Sequence, residues 1–341
     1  MKILFYTLGK ILKVTPLKLF TTLTRQNTVF PFYHAVSNSN PVHIKHLYKV
    51  RTEKDFEKDL DFLLKNFKPI DYTDITSTIY NKTRRKNSFL LSFDDGLREF
   101  YDVAAPILKR KGIPATCFLN TEFIDNKNLF YRYKASILVE KLRTTTLPAS
   151  TKNRVKAWFQ RHNLEYGNSY GSLLQVSYRN REWLNNLSEL IEYSFKDFLN
   201  DSKPYLTGDQ IRSLTNQGFT FGAHSIDHPR YEELNPDDQV YQTQKSLDEI
   251  TRNFNLNYRL FSFPFADSNV PKTFFDRIFT AENPIADFTF GNSGLKKDLY
   301  PKNIQRIPME LKSYTAQEII YGEYLYYITK FFLRKNTIKR R

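Results

Sequence analysis

Two rhythms of apolar residues alternate along the chain. Continuous apolar runs occur at Val29–Val36, Ser88–Phe93, Ile113–Leu119, Phe219–His224, Arg259–Phe265, Ala286–Phe290 and Asn303–Met309. Runs of this length between polar or Gly/Pro/Asp-bearing stretches predict strands buried on both faces. Between them the spacing changes. After Thr52, a helix-opening residue, Phe56, Leu60, Leu63, Leu64 and Phe67 recur at helical intervals. Further helices are predicted from about Leu97 to Gly112, with Tyr101, Ala105 and Leu108 turned inward, over Gly208–Gly218, Pro236–Phe254 and Pro271–Glu282, and from Thr315 onward. Strands alternating with helices, without an internal repeat, imply an α/β fold with a parallel sheet, and the unit from Ser88 to Leu119 calls for a right-handed crossover. Residues 121–202 break the rhythm. They are polar and helical, hold both tryptophans (Trp158, Trp183), and read as an inserted helical subdomain.

Composition narrows the class. Of 341 residues, 40% are apolar and 16% aromatic, which argues against disorder. The lone Cys117 excludes an internal disulfide and a cysteine-built structural zinc site. No glycine-rich phosphate-cradling motif is present. The net charge of +15 is gathered at the ends, because residues 1–51 and 324–341 carry basic residues and no acid. Basic ends interleaved with aromatics (Tyr324, Tyr326, Tyr327, Phe331, Phe332) suit an anionic membrane surface better than nucleic acid, which calls for a basic folded face. No stretch has the length of a membrane span, and the N-terminal apolar run is cut by Lys10 and Lys13 and makes a poor signal peptide. The expected location is therefore cytoplasmic or peripheral to a membrane. Within residues 1–27, Lys2, Lys10 and Lys13 share one side of a helix, and Leu4, Leu8, Ile11 and Leu12 the other. That pattern fits a helix lying in a membrane interface or a surface helix packed on the protein's own core.

Three segments follow predicted strands, where an α/β barrel carries its chemistry. The first is Ser92-Phe93-Asp94-Asp95-Gly96, whose adjacent carboxylates repel unless a cation resolves the conflict. The second is His224-Ser225-Ile226-Asp227-His228, with two imidazoles four residues apart. One carboxylate and two imidazoles form the ligand set of a catalytic zinc-type site. The third, Phe261-Ser262-Phe263-Pro264-Phe265, offers an aromatic and proline wall for a sugar or acyl group, with Phe263, Pro264 and Phe265 as its substrate-binding residues.

Taken in this order, the Asp94-Asp95, His224…His228 and Ser262-Phe263-Pro264-Phe265 segments resemble the motifs of the polysaccharide deacetylases (carbohydrate esterase family 4). The resemblance implies a deformed (β/α) barrel of about seven parallel strands, formed by residues 28–120 and 203–314, with the 121–202 insertion and a basic aromatic helix at 315–341. It implies a metal-dependent hydrolase that removes N-acetyl or other acyl groups from a glycan or a lipid-linked sugar. Asp95, His224 and His228 would hold one divalent metal, Zn²⁺ by preference, and Asp94 would be the base as metal-activated water attacks the amide carbonyl. The family's late catalytic histidine is absent, since no histidine follows His228. His34, ending the first strand, is the expected replacement, as in circularly permuted members. Ser262 stands where many members have an arginine, and Arg306, at another strand end, is expected to supply that charge. The alternatives are a catalytically degenerate carbohydrate-binding barrel and a non-carbohydrate amidase. Nothing in the pattern specifies an oligomer.

Overall fold

The computed structural model describes residues 2–12, 15–80, 87–167, 170–280, 282–311 and 313–340. Each apolar run contributes to the barrel, through strands shorter than the run: β1 (Pro31–Tyr33), β2 (Leu91–Phe93), β3 (Ala115–Leu119), β4 (Thr220–Ala223), β5 (Leu260–Ser262), β6 (Phe288–Gly291), β7 (Asn303–Gln305) and β8 (Ile307–Pro308). All neighbours pair in parallel, in the order β7-β6-β5-β4-β3-β2-β1-β8. β7 and β8 are two halves of the single run predicted at Asn303–Met309, yet they occupy opposite ends of that order. The sheet therefore closes on itself through Arg306, giving the deformed barrel of parallel strands with its last strand split.

The register sets what points inward. Ser92 pairs with Phe32 and Thr116, Phe118 with Gly222, and Ser262 with Phe290. Phe118, Leu260, Phe288, Phe290 and Ile304 fill the interior, and the opposite face of the sheet supports a larger apolar layer beneath the helices. Gly222 is required by this filling. A Cβ there would lie 2.7 Å from the Phe118 ring and 2.6 Å from the Leu260 carbonyl.

Apart from a short helix at Ile75–Tyr80, the helices are α1 (Lys2–Leu12), α2 (Leu17–Thr24), α3 (Glu53–Asn66), α4 (Ala105–Lys111), α5 (Tyr131–Thr144), α6 (Ala149–Arg161), α7 (Glu182–Leu190), α8 (Phe195–Ser202), α9 (Gly208–Asn216), α10 (Pro236–Phe254), α11 (Lys272–Phe279) and α12 (Ala316–Phe332). Their starts follow capping chemistry: Thr52, Thr207 and Thr315 each accept a bond from the third helical N–H. The helix predicted from Leu97 opens instead as a π-turn at Phe100–Ala104 before α4. Pro106, without an N–H, cannot extend a regular ladder at that point. It ends as predicted, at Gly112 in the left-handed conformation (φ 65°). The helix predicted to Glu282 stops at Phe279, and Ala281 lies outside the described residues.

α5–α8 stand between β3 and β4 with apolar packing of their own around Phe159, Leu173, Leu184 and Leu187. Ile44 and Val50, from the loop after β1, join that cluster rather than the barrel's. The C-terminus departs from a simple basic helix. After α12 the chain turns back, Thr337–Ile338 pairs with Lys297–Asp298, and Arg340 is buried between Asp267 (2.6 Å) and Asp298 (2.5 Å). Arg341 and Lys13 lie outside the described residues.

Candidate metal and catalytic centre

The centre is assembled at the C-terminal ends of β1, β2, β4 and β5 and at the β7–β8 junction. β2 runs directly into Asp94 and Asp95, and β4 into His224. The two histidines meet through a tight turn, not a helical face. Asp95, Ser225 and His228 all take left-handed backbone angles (φ 71°, 71° and 62°), a conformation that persists in non-glycine residues only where the surroundings hold it. They do so here: Ser225 Oγ accepts a bond from the His228 N–H (3.0 Å), and Asn120 Nδ2 donates to the His224 carbonyl.

Asp95 Oδ1 lies 3.5 Å from His224 Nε2 and 3.3 Å from His228 Nε2, and one ligand atom from each of the three residues falls within 4.8 Å of the others. Ligands about 2.0–2.1 Å from one tetrahedral ion are about 3.4 Å apart, so the two Asp95–imidazole spacings fit. Two further observations agree. Asp95 Oδ1 is buried with no hydrogen-bond partner, an orphaned acceptor of the kind a cation satisfies. His224 Nδ1 is held by the Ser262 carbonyl (2.8 Å), which makes it the protonated nitrogen and leaves the Nε2 lone pair facing the site. Burial pushes the His224 imidazolium down to about 4, so the ring is neutral near pH 7. Asp95 Oδ2 accepts a bond from the Tyr133 hydroxyl (2.6 Å), brought in by α5. Burial opposes the Asp95 charge, but the His228 contact and the nearby imidazoles outweigh it and hold the carboxyl below its usual range.

Asp94 faces the barrel interior and a different partner. Arg306 grips it bidentately, Nη1 to Oδ1 at 2.8 Å and Nη2 to Oδ2 at 2.7 Å, and its side chain is 0% exposed. Ser262 Oγ accepts from Arg306 (2.6 Å) and donates to Asp94 Oδ1 (3.3 Å), and Ser92 Oγ takes a fourth guanidinium bond. Phe32 and Phe118 flank the cation at 4.3 and 5.3 Å. Burial alone would raise the Asp94 carboxyl, but Arg306 reverses this and it stays ionised.

His34 is the next residue along from Tyr33, which pairs with Phe93, so β1 delivers it alongside Asp94. Its Nδ1 bonds Glu310, whose carboxylate also accepts the backbone N–H groups of His34 and Ala35. Burial works against the charged ring, yet Glu310 dominates and lifts the imidazole to about 9. Glu310 escaped the sequence reading. It was findable, because it directly follows the last predicted strand, the same position that singled out the other site residues.

The proposed aromatic wall is only partly at the site. Phe265 sits beside the centre, its ring 4.7 Å from that of His228, and Phe130, not singled out from sequence, lies 4.2 Å from the same imidazole. Phe263 is instead a core residue. It is 1% exposed and packs on Tyr231, Phe274 and Phe275, because strand alternation turns it away from the face that Ser262 shares with the centre. Pro264 is buried. His43 and His46, too, lie apart from the centre's ligands. His43 is buried against Tyr133 and Phe198, and His46 bonds Glu140.

Comparison with known proteins agrees with this geometry. The sequence model of the polysaccharide deacetylases matches residues 81–274, more than half of the chain. No curated protein matches it. Among solved structures, the Streptococcus pyogenes deacetylase PplD, in complex with acetate, aligns with a TM-score of 0.53 at 16% identity, over 87% of this chain and 97% of that one. IcaB from Ammonifex degensii aligns with a TM-score of 0.51 at 13% identity, again over 87% and 97%. Identities this low speak for the fold alone, whereas the sequence match spans the strand ends bearing Asp94, Asp95, His224 and His228. The chain belongs to the polysaccharide deacetylase family (carbohydrate esterase family 4), hydrolases that act on carbon–nitrogen bonds.

Proposed function

We propose that the protein removes acetyl groups from the amino sugars of a glycan, using one divalent metal held by Asp95, His224 and His228. The observation that carries this is the buried, orphaned Asp95 Oδ1 facing two imidazole nitrogens at ligand spacing, next to an independently anchored carboxylate. When bound, the metal supplies a Lewis acid and an acidified water; Zn²⁺ suits this donor set. Asp94 is the base. The Arg306 fork occupies one lone pair on each of its oxygens, Ser262 Oγ takes the second on Oδ1, and the second on Oδ2 is free for a proton. Arg306 and Ser262 fix its orientation, and its depressed pKa keeps it ionised.

His34 is the acid that protonates the departing amine. Glu310 keeps its imidazole charged at neutral pH and, by holding Nδ1, leaves Nε2–H to donate. Phe130 and Phe265 border the acyl position. His34, Arg306 and Glu310 all lie outside residues 81–274, so the acid and the base's support come from the barrel's first and last strands.

Chelation is expected to abolish acetate release from N-acetylated glycans, and added divalent metal to restore it. Asp94→Asn is expected to retain metal while losing at least about 10²-fold in rate. Full activity of chelated enzyme overturns the proposal. A binding-only barrel would show glycan affinity without acetate release, and a non-carbohydrate amidase would release acyl groups only from small amides.

One observation favours a lipid-linked sugar phosphate as the substrate. The Arg132 guanidinium lies 5.8 Å from the Phe265 ring; its Nη2 donates to the Leu174 carbonyl (3.5 Å), its Nε is buried without a partner, and no carboxylate lies within ion-pair distance among the described residues. An anionic group beside the sugar would satisfy it. Arg132→Met is then expected to raise KM for a sugar phosphate carrier and leave KM for a neutral oligosaccharide unchanged.

A further inference from the structure

α1 docks on α12 with what the sequence marks as its polar side. Lys2 pairs with the buried Glu323 (2.9 Å), the Tyr6 hydroxyl donates to the same carboxylate (2.6 Å), and the Leu295 N–H satisfies its other oxygen. The two backbones meet at glycines. A Cβ on Gly9 would lie 2.4 Å from the Glu318 carbonyl, and one on Gly322 2.5 Å from the Tyr6 ring. This contact fixes the rotation of α1, so its apolar stripe faces outward. Ile3, Leu4, Leu8 and Ile11 are 68%, 62%, 38% and 69% exposed.

The same exposure continues on the neighbouring elements. Leu19 and Leu23 protrude from α2, and Phe331, Phe332 and Leu333 from the end of α12. Leu23, Tyr327, Phe331 and Phe332 line one cleft, so α2 and the end of α12 share a surface. Nine of the twelve large apolar side chains left exposed among the described residues therefore belong to three terminal elements, α1 and α2 each packing on α12. Single exposed apolar residues need no account, but a concentration of this kind does.

We propose that α1, α2 and the end of α12 form a docking surface for an anionic lipid bilayer. The choice of occupant rests on charge. Lys10, Lys18, Arg25, Arg334 and Lys335 are exposed on these elements, none in an ion pair among the described residues, and residues 1–51 and 324–341 contain no acid. A second copy of the chain would bring like cations together, and protein interfaces are depleted in lysine. Anionic headgroups neutralise the cations while the acyl boundary takes the apolar side chains. The surface stands independently of the catalytic reading.

The test uses the full chain sedimented with phosphatidylcholine vesicles, with or without phosphatidylserine. Binding is expected only with phosphatidylserine and is expected to weaken in high salt. Leu4→Ser with Leu8→Ser should lower partitioning at least about tenfold, since side chains that cross into the boundary each carry several methylenes. Both positions face solvent, so the variant's circular dichroism and thermal unfolding should match wild type. Equal binding by variant and wild type, or no binding to anionic vesicles, overturns the proposal. So does a dimer in sedimentation velocity that the double variant abolishes, which would assign the surface to a second copy.

Discussion

At the residue scale, the site depends on two carboxylates that carry their negative charge by different means. Asp94 is neutralised by an arginine inside the barrel, and Asp95 turns an unsatisfied oxygen toward two imidazoles. Arg306→Met would leave Asp94 buried with only Ser262 as a partner, and removing one member of a buried pair costs about 3–5 kcal/mol. Denaturant unfolding reads this directly; a loss below about 1 kcal/mol would mean the pair contributes little to folding. Glu310 governs the other titration. His34 is lifted to about 9, so as an acid it is competent below that pH, and kcat/KM should fall as the pH rises through it. Glu310→Gln removes the charge that does the lifting, and the alkaline limb should move toward lower pH. An unmoved limb would show that another group sets it. Because the folded pKa lies above the ordinary 6.5, His34 also contributes stability that is complete below pH 6.5 and lost as the pH rises toward 9.

At the scale of elements, close backbone approaches decide what can pack. In the barrel, Gly222→Ala puts a methyl into space filled by the Phe118 ring and the Leu260 carbonyl. Overpacking of this kind costs about 1–3 kcal/mol, seen as a lower thermal midpoint. At the terminus, Gly9→Val separates α1 from α12 and breaks the Lys2–Glu323 contact, leaving a carboxylate inside with one cation fewer. Limited proteolysis should then cut within residues 2–12 well before the barrel is attacked, whereas protection equal to wild type would show that the contact tolerates a side chain. The same helix shows where periodicity stops informing. Its two faces were legible, yet only the glycine contact decides that the polar one packs inward.

At the scale of the whole molecule, the centre joins residues from both ends of the chain, from His34 to Glu310, so binding of the proposed metal and the fold should be linked. A bound ion stabilises the folded state by mass action, about 2.7 kcal/mol at a hundredfold excess over Kd. Chelation should lower the midpoint of wild type and leave Asp95→Ala and His228→Ala, which should carry no stoichiometric metal, unchanged. Equal shifts in all three would place the ion elsewhere. By itself the sequence determined the α/β rhythm, each barrel strand to within a few residues, and the chemistry closing β2 and β4, because apolar runs and strand-end polar residues are local patterns. Phe263 looked like a wall of the site, because which face a side chain takes depends on strand alternation and on the neighbour it meets; Glu310, at the end of the last predicted strand, was within reach of the same strand-end pattern. Tertiary structure alone decided the split of Asn303–Met309 that closes the barrel, the bidentate grip by which Arg306 delivers its expected charge to Asp94, and the outward turn of α1. Those outcomes depend on contacts between residues hundreds of positions apart, and no pattern local to either partner encodes them.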